Sequence, residues 1–199
     1  RDLALAQGLL DRLQLQPIVV MALKRHGANL EVARLGAGVV AGCCQRSNRN
    51  AELMWRVGVV QGIQHLMDSF AEDATLQDNC CIALWRLAER HGSSAEEIVR
   101  AGGLERVFRA AREHMQNPFV QVNACAALER LLARGCAPPD GMREAAELAM
   151  AAHPANTQIK RGARRLLEVL RTSAAAVPPP PPPPQLGEPA AGPPQAPPA

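Results

Sequence analysis

The chain has 199 residues and a formal net charge of +3, from 22 basic and 19 acidic side chains. That mild excess, with no Tyr, two Trp and three Phe, argues against a strong nucleic-acid binder, which needs clustered basic charge and rings to stack bases. The core must be aliphatic (Leu, Val, Ala, Met and Cys), which suits closely spaced helices better than a sheet. Twelve of the 17 prolines follow Val177, so the folded part is expected to end near Thr172, leaving enough chain to bury a core.

In chain order, residues 3–13 (LALAQGLLDRL) read as a short amphipathic helix, the remnant of an incomplete first repeat. Pro17 opens a second helix with Val19, Ala22 and Leu23 on one face, and residues 26–29 turn the chain into a third over 30–44. A polar stretch, QRSNRN, precedes a short helix at 51–57 that Gly58 ends. The next helix, 59–70, carries Val60, Ile63, Leu66 and Met67, and 76–90 forms a longer one. Ser94-Ala95-Glu96-Glu97 has the form of a capping box and predicts a short helix starting there. Ala101-Gly102-Gly103 makes a corner into a helix at 103–115, with Val107, Ala110 and Ala111 inward. Asn117 and Pro118 then open the next helix as cap and first residue. The two prolines of the loop 135–141 (GCAPPDG) leave less room for a short first helix, and 142–152 and 157–170 form the last pair.

The segments repeat. NPFVQVNACAALERLL at 117–132 matches DATLQDNCCIALWRLA 44 residues earlier and NLEVARLGAGVVAGCC another 44 earlier. A fourth copy, NTQIKRGARRLLEVL, lies 39 residues downstream. The turns repeat too: His26, Phe70, His114 and His153 are equivalent, as are the helix caps Asn29, Asp73, Asn117 and Asn156. Repeats of this length predict stacked helices and a surface for binding another protein. The units run over about 15–57, 58–101, 102–141 and 142–171, within a repeat domain of residues 1–171.

No P-loop, GxGxxG, GxSxG or HExxH is present, so the chain reads as non-catalytic, without metal or cofactor. Repeat-equivalent histidines belong to successive units about 10 Å apart and cannot share one zinc ion. The six cysteines include adjacent pairs rather than CxxC pairs and read as small buried hydrophobes in a reducing compartment, cytoplasmic or nuclear. Cys136, in a Pro-rich loop, is the one candidate reactive thiol. No signal peptide or membrane-spanning run is visible. Residues 172–199, with Pro178–Pro184, cannot bury a core and read as a disordered proline-rich tail, with an SH3, WW, EVH1 or profilin-type groove as the matching partner.

AGGLERVFRAAREHMQNPFVQVNACAALERLL and VVQGIQHLMDSFAEDATLQDNCCIALWRLA resemble the armadillo repeat, which has a short first helix and two longer antiparallel ones. The resemblance covers about residues 15–171 and, within the family, is nearest to armadillo segments of large multidomain proteins such as leucine-rich-repeat kinases. It implies an all-α fold, a right-handed α-solenoid of three to four units, whose third helices line a concave groove for an extended peptide. The Asn and Trp positions by which importin-alpha-type members clamp a peptide hold Gly42, Arg86, Arg130 and Val169, and Gly38, Ile82, Ala126 and Arg165; that ladder is absent. In its place the expected groove offers Arg34, Arg86, Arg130, Arg161 and Arg165, with Asp78 and Glu129 among them and Trp85 one residue out of register. Guanidinium forks in that pattern suit an acidic or phosphorylated peptide. The expectation is therefore a protein-interaction module with no nucleic-acid or membrane partner. The competing expectation, left open by a sequence that starts at Arg1, is the substrate-recruiting or regulatory region of a larger enzyme.

Overall fold

The computed structural model describes Leu13 and residues 15–176 of the chain. Apart from Leu13, the helix expected at 3–13 lies outside the described residues, as does the tail from residue 177 with its docking run Pro178–Pro184. Among the described residues the chain is all-helical, with no strand. The helices are α1 (Gln16–His26), α2 (Leu30–Cys44), α3 (Asn48–Arg56), α4 (Val59–Ser69), α5 (Ala74–Arg90), α6 (Gly92–Arg100), α7 (Gly103–Glu113), α8 (Pro118–Leu132), α9 (Met142–Ala152) and α10 (Thr157–Ala176). No helix of this set is long and apolar enough to cross a membrane.

The turn before each long helix is built the same way four times. Asn29, Asp73, Asn117 and Asn156 each accept, through the side chain, from backbone N–H groups at the start of α2, α5, α8 and α10. These are orphan donors that nothing in the helix itself can satisfy. Each cap residue also donates its own N–H to the carbonyl three residues back: Asn29 to His26 (2.9 Å), Asp73 to Phe70 (3.1 Å), Asn117 to His114 (2.9 Å) and Asn156 to His153 (3.0 Å).

The long helices contact one another in series: α2 packs on α5, α5 on α8, and α8 on α10. Their hairpin partners form a second row, α1 against α4, α4 against α7 and α7 against α9. Short α3 lies against α2 and α5, and short α6 against α5 and α7. One continuous apolar core runs between the rows from Val20 to Leu170. Small residues mark the closest approaches; a Cβ added to Gly162 of α10 would sit 3.1 Å from Cβ of Cys125 in α8.

The Gly-Gly corner has a separate cause at each residue. Gly102 has φ of +75°, a left-handed conformation that L side chains rarely adopt. Gly103 must lack a side chain, since its Cβ would lie 2.5 Å from Cγ2 of Ile98 and 2.6 Å from Nε2 of Gln64. Gly58 and Gly141 take the same left-handed turn at the start of α4 and α9, so the corner recurs with the repeat.

Three sequence expectations need correction. The first short helix starts at Asn48 rather than 51, because Ser47 within the polar stretch caps it by accepting from the N–H of Asn50. Ser94 does not cap α6. That helix starts at Gly92, capped by His91, whose Nδ1 accepts from the N–H of Ser94 at 3.3 Å, and Ser94 is buried one turn in. The last helix continues to Ala176, past the end of the folded part expected near Thr172. Ala174–Ala176 are strong helix formers, and the disfavoured position directly before a proline is reached only at Val177.

Leu128 is 2% exposed in the α8 core, and Leu128→Ala should cost about 2–5 kcal/mol in urea unfolding. Asn117→Ala should cost about 1 kcal/mol by removing the cap.

Candidate interaction surface

The side chains that fasten one unit to the next reach back by about one repeat. Asn79 Nδ2 of α5 donates to the Arg34 carbonyl of α2 at 3.1 Å, and Arg86 Nη1 donates to the Ala41 carbonyl at 2.7 Å. Asn123 Nδ2 of α8 donates to Asp78 Oδ1 of α5 at 2.7 Å. All three bonds span 45 residues, so the long helices lie parallel and in register. In the second row, Arg106 and Arg109 of α7 both donate to Asp68 of α4, at 2.8 and 2.7 Å. In the turns, His114 Nε2 donates to the Ala71 carbonyl at 2.7 Å, and His153 Nε2 to the Met115 carbonyl at 2.8 Å. A carbonyl can only accept, so both histidines carry their proton on Nε2.

This fastening decides which of the expected groove residues remain free. Arg34 is bound by Asp73, the cap of the next unit, through Nε to Oδ1 at 3.0 Å and a second contact from Nη2 to Oδ2. The hydrogen bond and charge of Asp73 raise the Arg34 pKa, and Arg34 in turn holds the Asp73 carboxyl below its ordinary value. Arg86 satisfies a carbonyl in the last turn of α2 and lies with Cζ 5.9 Å from the Trp85 ring centroid. Partial burial lowers its pKa, though not enough to discharge a guanidinium. Asp78 is engaged by Asn123, and burial pushes its carboxyl up. Arg34, Arg86 and Asp78 are therefore parts of the inter-unit contact rather than open groove groups.

The other five expected residues behave differently. Trp85, Glu129, Arg130 and Arg165 come together around a cleft of about 180 Å³ across α5, α8 and α10, with Glu89, Ala126, Ala133 and Val169 completing its wall. Arg130 Nη2 lies 3.7 Å from Glu89 Oε1, a loose surface pair of little energetic weight. Arg161 is exposed one turn before Arg165 on α10. The cleft thus offers a half-buried indole, exposed guanidinium groups of α8 and α10, and two carboxylates. Glu89 was missed in the sequence. It follows Trp85 by one helical turn, and nothing in its local pattern distinguishes it from an ordinary solvated glutamate.

The remaining chemistry-bearing residues are structural. Cys43, Cys44, Cys80, Cys81 and Cys125 are buried, and burial pushes their thiols up, to about 11 at Cys43 and about 12 at Cys44 and Cys125. Cys136, the candidate reactive thiol, is half-buried, donates to the Leu131 carbonyl at 3.4 Å and is likewise raised. A thiol raised in this way holds little thiolate at neutral pH. Among the described residues no three His, Cys, Asp or Glu side chains are placed to hold a metal ion. Compared with known proteins, the chain matches no family model, no curated protein and no solved structure.

Asp73 and Asp78 predict pH effects of opposite sign. The depressed Asp73 stabilises the fold above the ordinary carboxylate value of 3.8, and this is lost as pH falls through its folded value. The raised Asp78 destabilises the fold when ionised, and protonation removes that cost. Asp73→Asn should therefore lower the thermal midpoint at pH 7 and Asp78→Asn should raise it. The Asp78 difference should shrink as thermal melts are taken from neutral pH down to 3.8, and the Asp73 difference only as they are taken below 3.8.

Proposed function

We propose that the chain is a non-catalytic protein-interaction module, an armadillo-type right-handed α-solenoid that holds a segment of a partner protein along its third-helix face. The observation that carries this reading is the register of the long helices. Cross-unit bonds at a constant 45-residue separation line up the outer faces of α2, α5 and α8, and the cleft continues that strip onto α10. A strip of this kind extends over several units and suits an elongated ligand better than a compact one. The short, polar-walled cleft offers no convergent nucleophile, base and oxyanion site of the sort catalysis requires.

The partner is an extended peptide carrying acidic or phosphorylated residues. Arg130, Arg161 and Arg165 are the guanidinium groups left to receive it, while Trp85 supplies an apolar wall beside them. Glu89 and Glu129 set the spacing between the anionic groups the peptide presents, since a carboxylate or phosphate placed against either would be repelled. Recognition of this kind is electrostatic at the surface and weakens with salt.

A library of Glu-rich and phosphoserine-containing peptides, titrated against the full chain and followed by Trp85 fluorescence in a Trp55→Phe background, tests the proposal. Arg130→Glu with Arg165→Glu should weaken the best binder at least about tenfold, as expected for losing charge-assisted hydrogen bonds. Arg86→Gln should lower the thermal midpoint while changing affinity less. Unchanged affinity in the Arg130/Arg165 variant overturns the proposal.

A further inference from the structure

The second row is joined differently at its first two junctions. Between α4 and α7, Arg106 and Arg109 cross the groove and both donate to Asp68. Between α1 and α4 the equivalent positions, 44 residues earlier, hold Gly62, His65 and Lys24. Two long guanidinium side chains are replaced by a hydrogen atom and an imidazole, and the carboxylate they held is replaced by an ammonium group. The first junction therefore lacks both the bulk that fills the groove and the anion that neutralises it.

The result is an open groove of about 350 Å³. Its floor is apolar, made by Leu23 and Leu66, which are themselves buried in the core. Nothing lies within 4 Å of where a Cβ of Gly62 would stand, so the space continues over that residue. Lys24, Arg25 and His65 stand at the rim, all three exposed, and no carboxylate lines the groove. Voids left by packing between helices are seldom larger than a water molecule. A concave space of this size, apolar below and with a few polar groups converging above, has the make-up of a small-molecule site.

Part of the charge has a structural reason. Lys24 and Arg25 lie in the last turn of α1, where cations favour the carbonyl end of a helix. His65 has no such reason. It lies ahead of the last turn of α4, and its ring touches only its own helix, with Nε2 3.5 Å from Ser69 Oγ. The next junction shows what this geometry takes when it is complete, which is one carboxylate gripped by two cationic side chains.

We propose that the groove between α1 and α4 binds a small amphipathic anion, a carboxylate or phosphate carrying a short hydrocarbon part. The anionic group lies between Lys24 and His65 with Arg25 beside them, and plays the part that the Asp68 carboxylate plays at the next junction. The hydrocarbon part rests on Leu23 and Leu66 in the space over Gly62. The site is on the second row and is independent of what the cleft across α5, α8 and α10 binds.

Calorimetric titration of the full chain with octanoate, octyl phosphate, octan-1-ol and inorganic phosphate tests the proposal, with amide resonances locating the ligand. Octanoate and octyl phosphate should bind and shift the amides of Gly62, His65 and Leu66, and the tighter of the two identifies the head group. Octan-1-ol lacks the charge and inorganic phosphate lacks the hydrocarbon, and each should bind at least about tenfold more weakly. Lys24→Glu supplies the missing carboxylate from the protein itself, and Gly62→Leu fills the groove. Each should weaken the amphipathic anions by at least about tenfold with helical circular dichroism unchanged. Both variants should fold, since Lys24 is exposed, Gly62 has open space beside it and leucine is the better helix former. Octan-1-ol or inorganic phosphate binding as tightly as the amphipathic anions overturns the proposal. So does affinity unchanged in either variant, a set of shifts confined to other residues, or no binding at all.

Discussion

Everything in the molecule depends on how closely the long helices approach. Ala83, Ala127, Ala163, Gly162 and Cys125 keep their facing surfaces short, so that an amide or guanidinium on one helix can reach the backbone of the last. Van der Waals attraction falls steeply with distance, and a close, apolar seam gathers many such contacts while excluding water from the few polar ones. Those polar contacts give the seam its register. A slide by one turn would part Asn123 from the side chain of Asp78.

The same constraint sorts the charged residues. Arg86 of α5 is taken up by the preceding unit through α2, and in the second row Arg106 and Arg109 of α7 are taken up by Asp68 of α4. Arg34 is consumed in the other direction, by the cap of the unit that follows. Arg130 of α8 and Arg161 and Arg165 of α10 are exposed. Beside Trp85 the cleft sets Arg130 and Arg165 among Glu89 and Glu129, so charges of both signs line its wall.

The turns show how economically the polar backbone is satisfied. One residue caps the next helix with its side chain and closes the turn with its own N–H, while the histidine three before it bonds to the turn of the preceding unit. Two buried glutamines complete the arrangement. Gln77 donates to the carbonyls of Met67 and Phe70, and Gln121, 44 residues on, to those of Ala111 and His114. These are the carbonyls that the end of a helix leaves without a partner. A polar residue buried in such a position is tolerated because its hydrogen bonds are complete.

Much of this was legible in the sequence alone. Helical periodicity, the 44-residue recurrence, the four caps and the Gly-Gly corner are local or translational properties, and the physics behind each acts within a few residues or repeats identically. They determined the helix order, the turn positions and the burial of five of the six cysteines. Local chemistry also misled where two caps competed: Ser94 has the right neighbours for a capping box, yet His91 reaches the same backbone first. What only the tertiary structure decided is which of eight candidate residues are free. Arg34, Arg86 and Arg130 look alike in the sequence, because a guanidinium is the same group wherever it stands. Its role is set by what lies within about 3 Å of its tip, and those atoms come from a unit some 45 residues away.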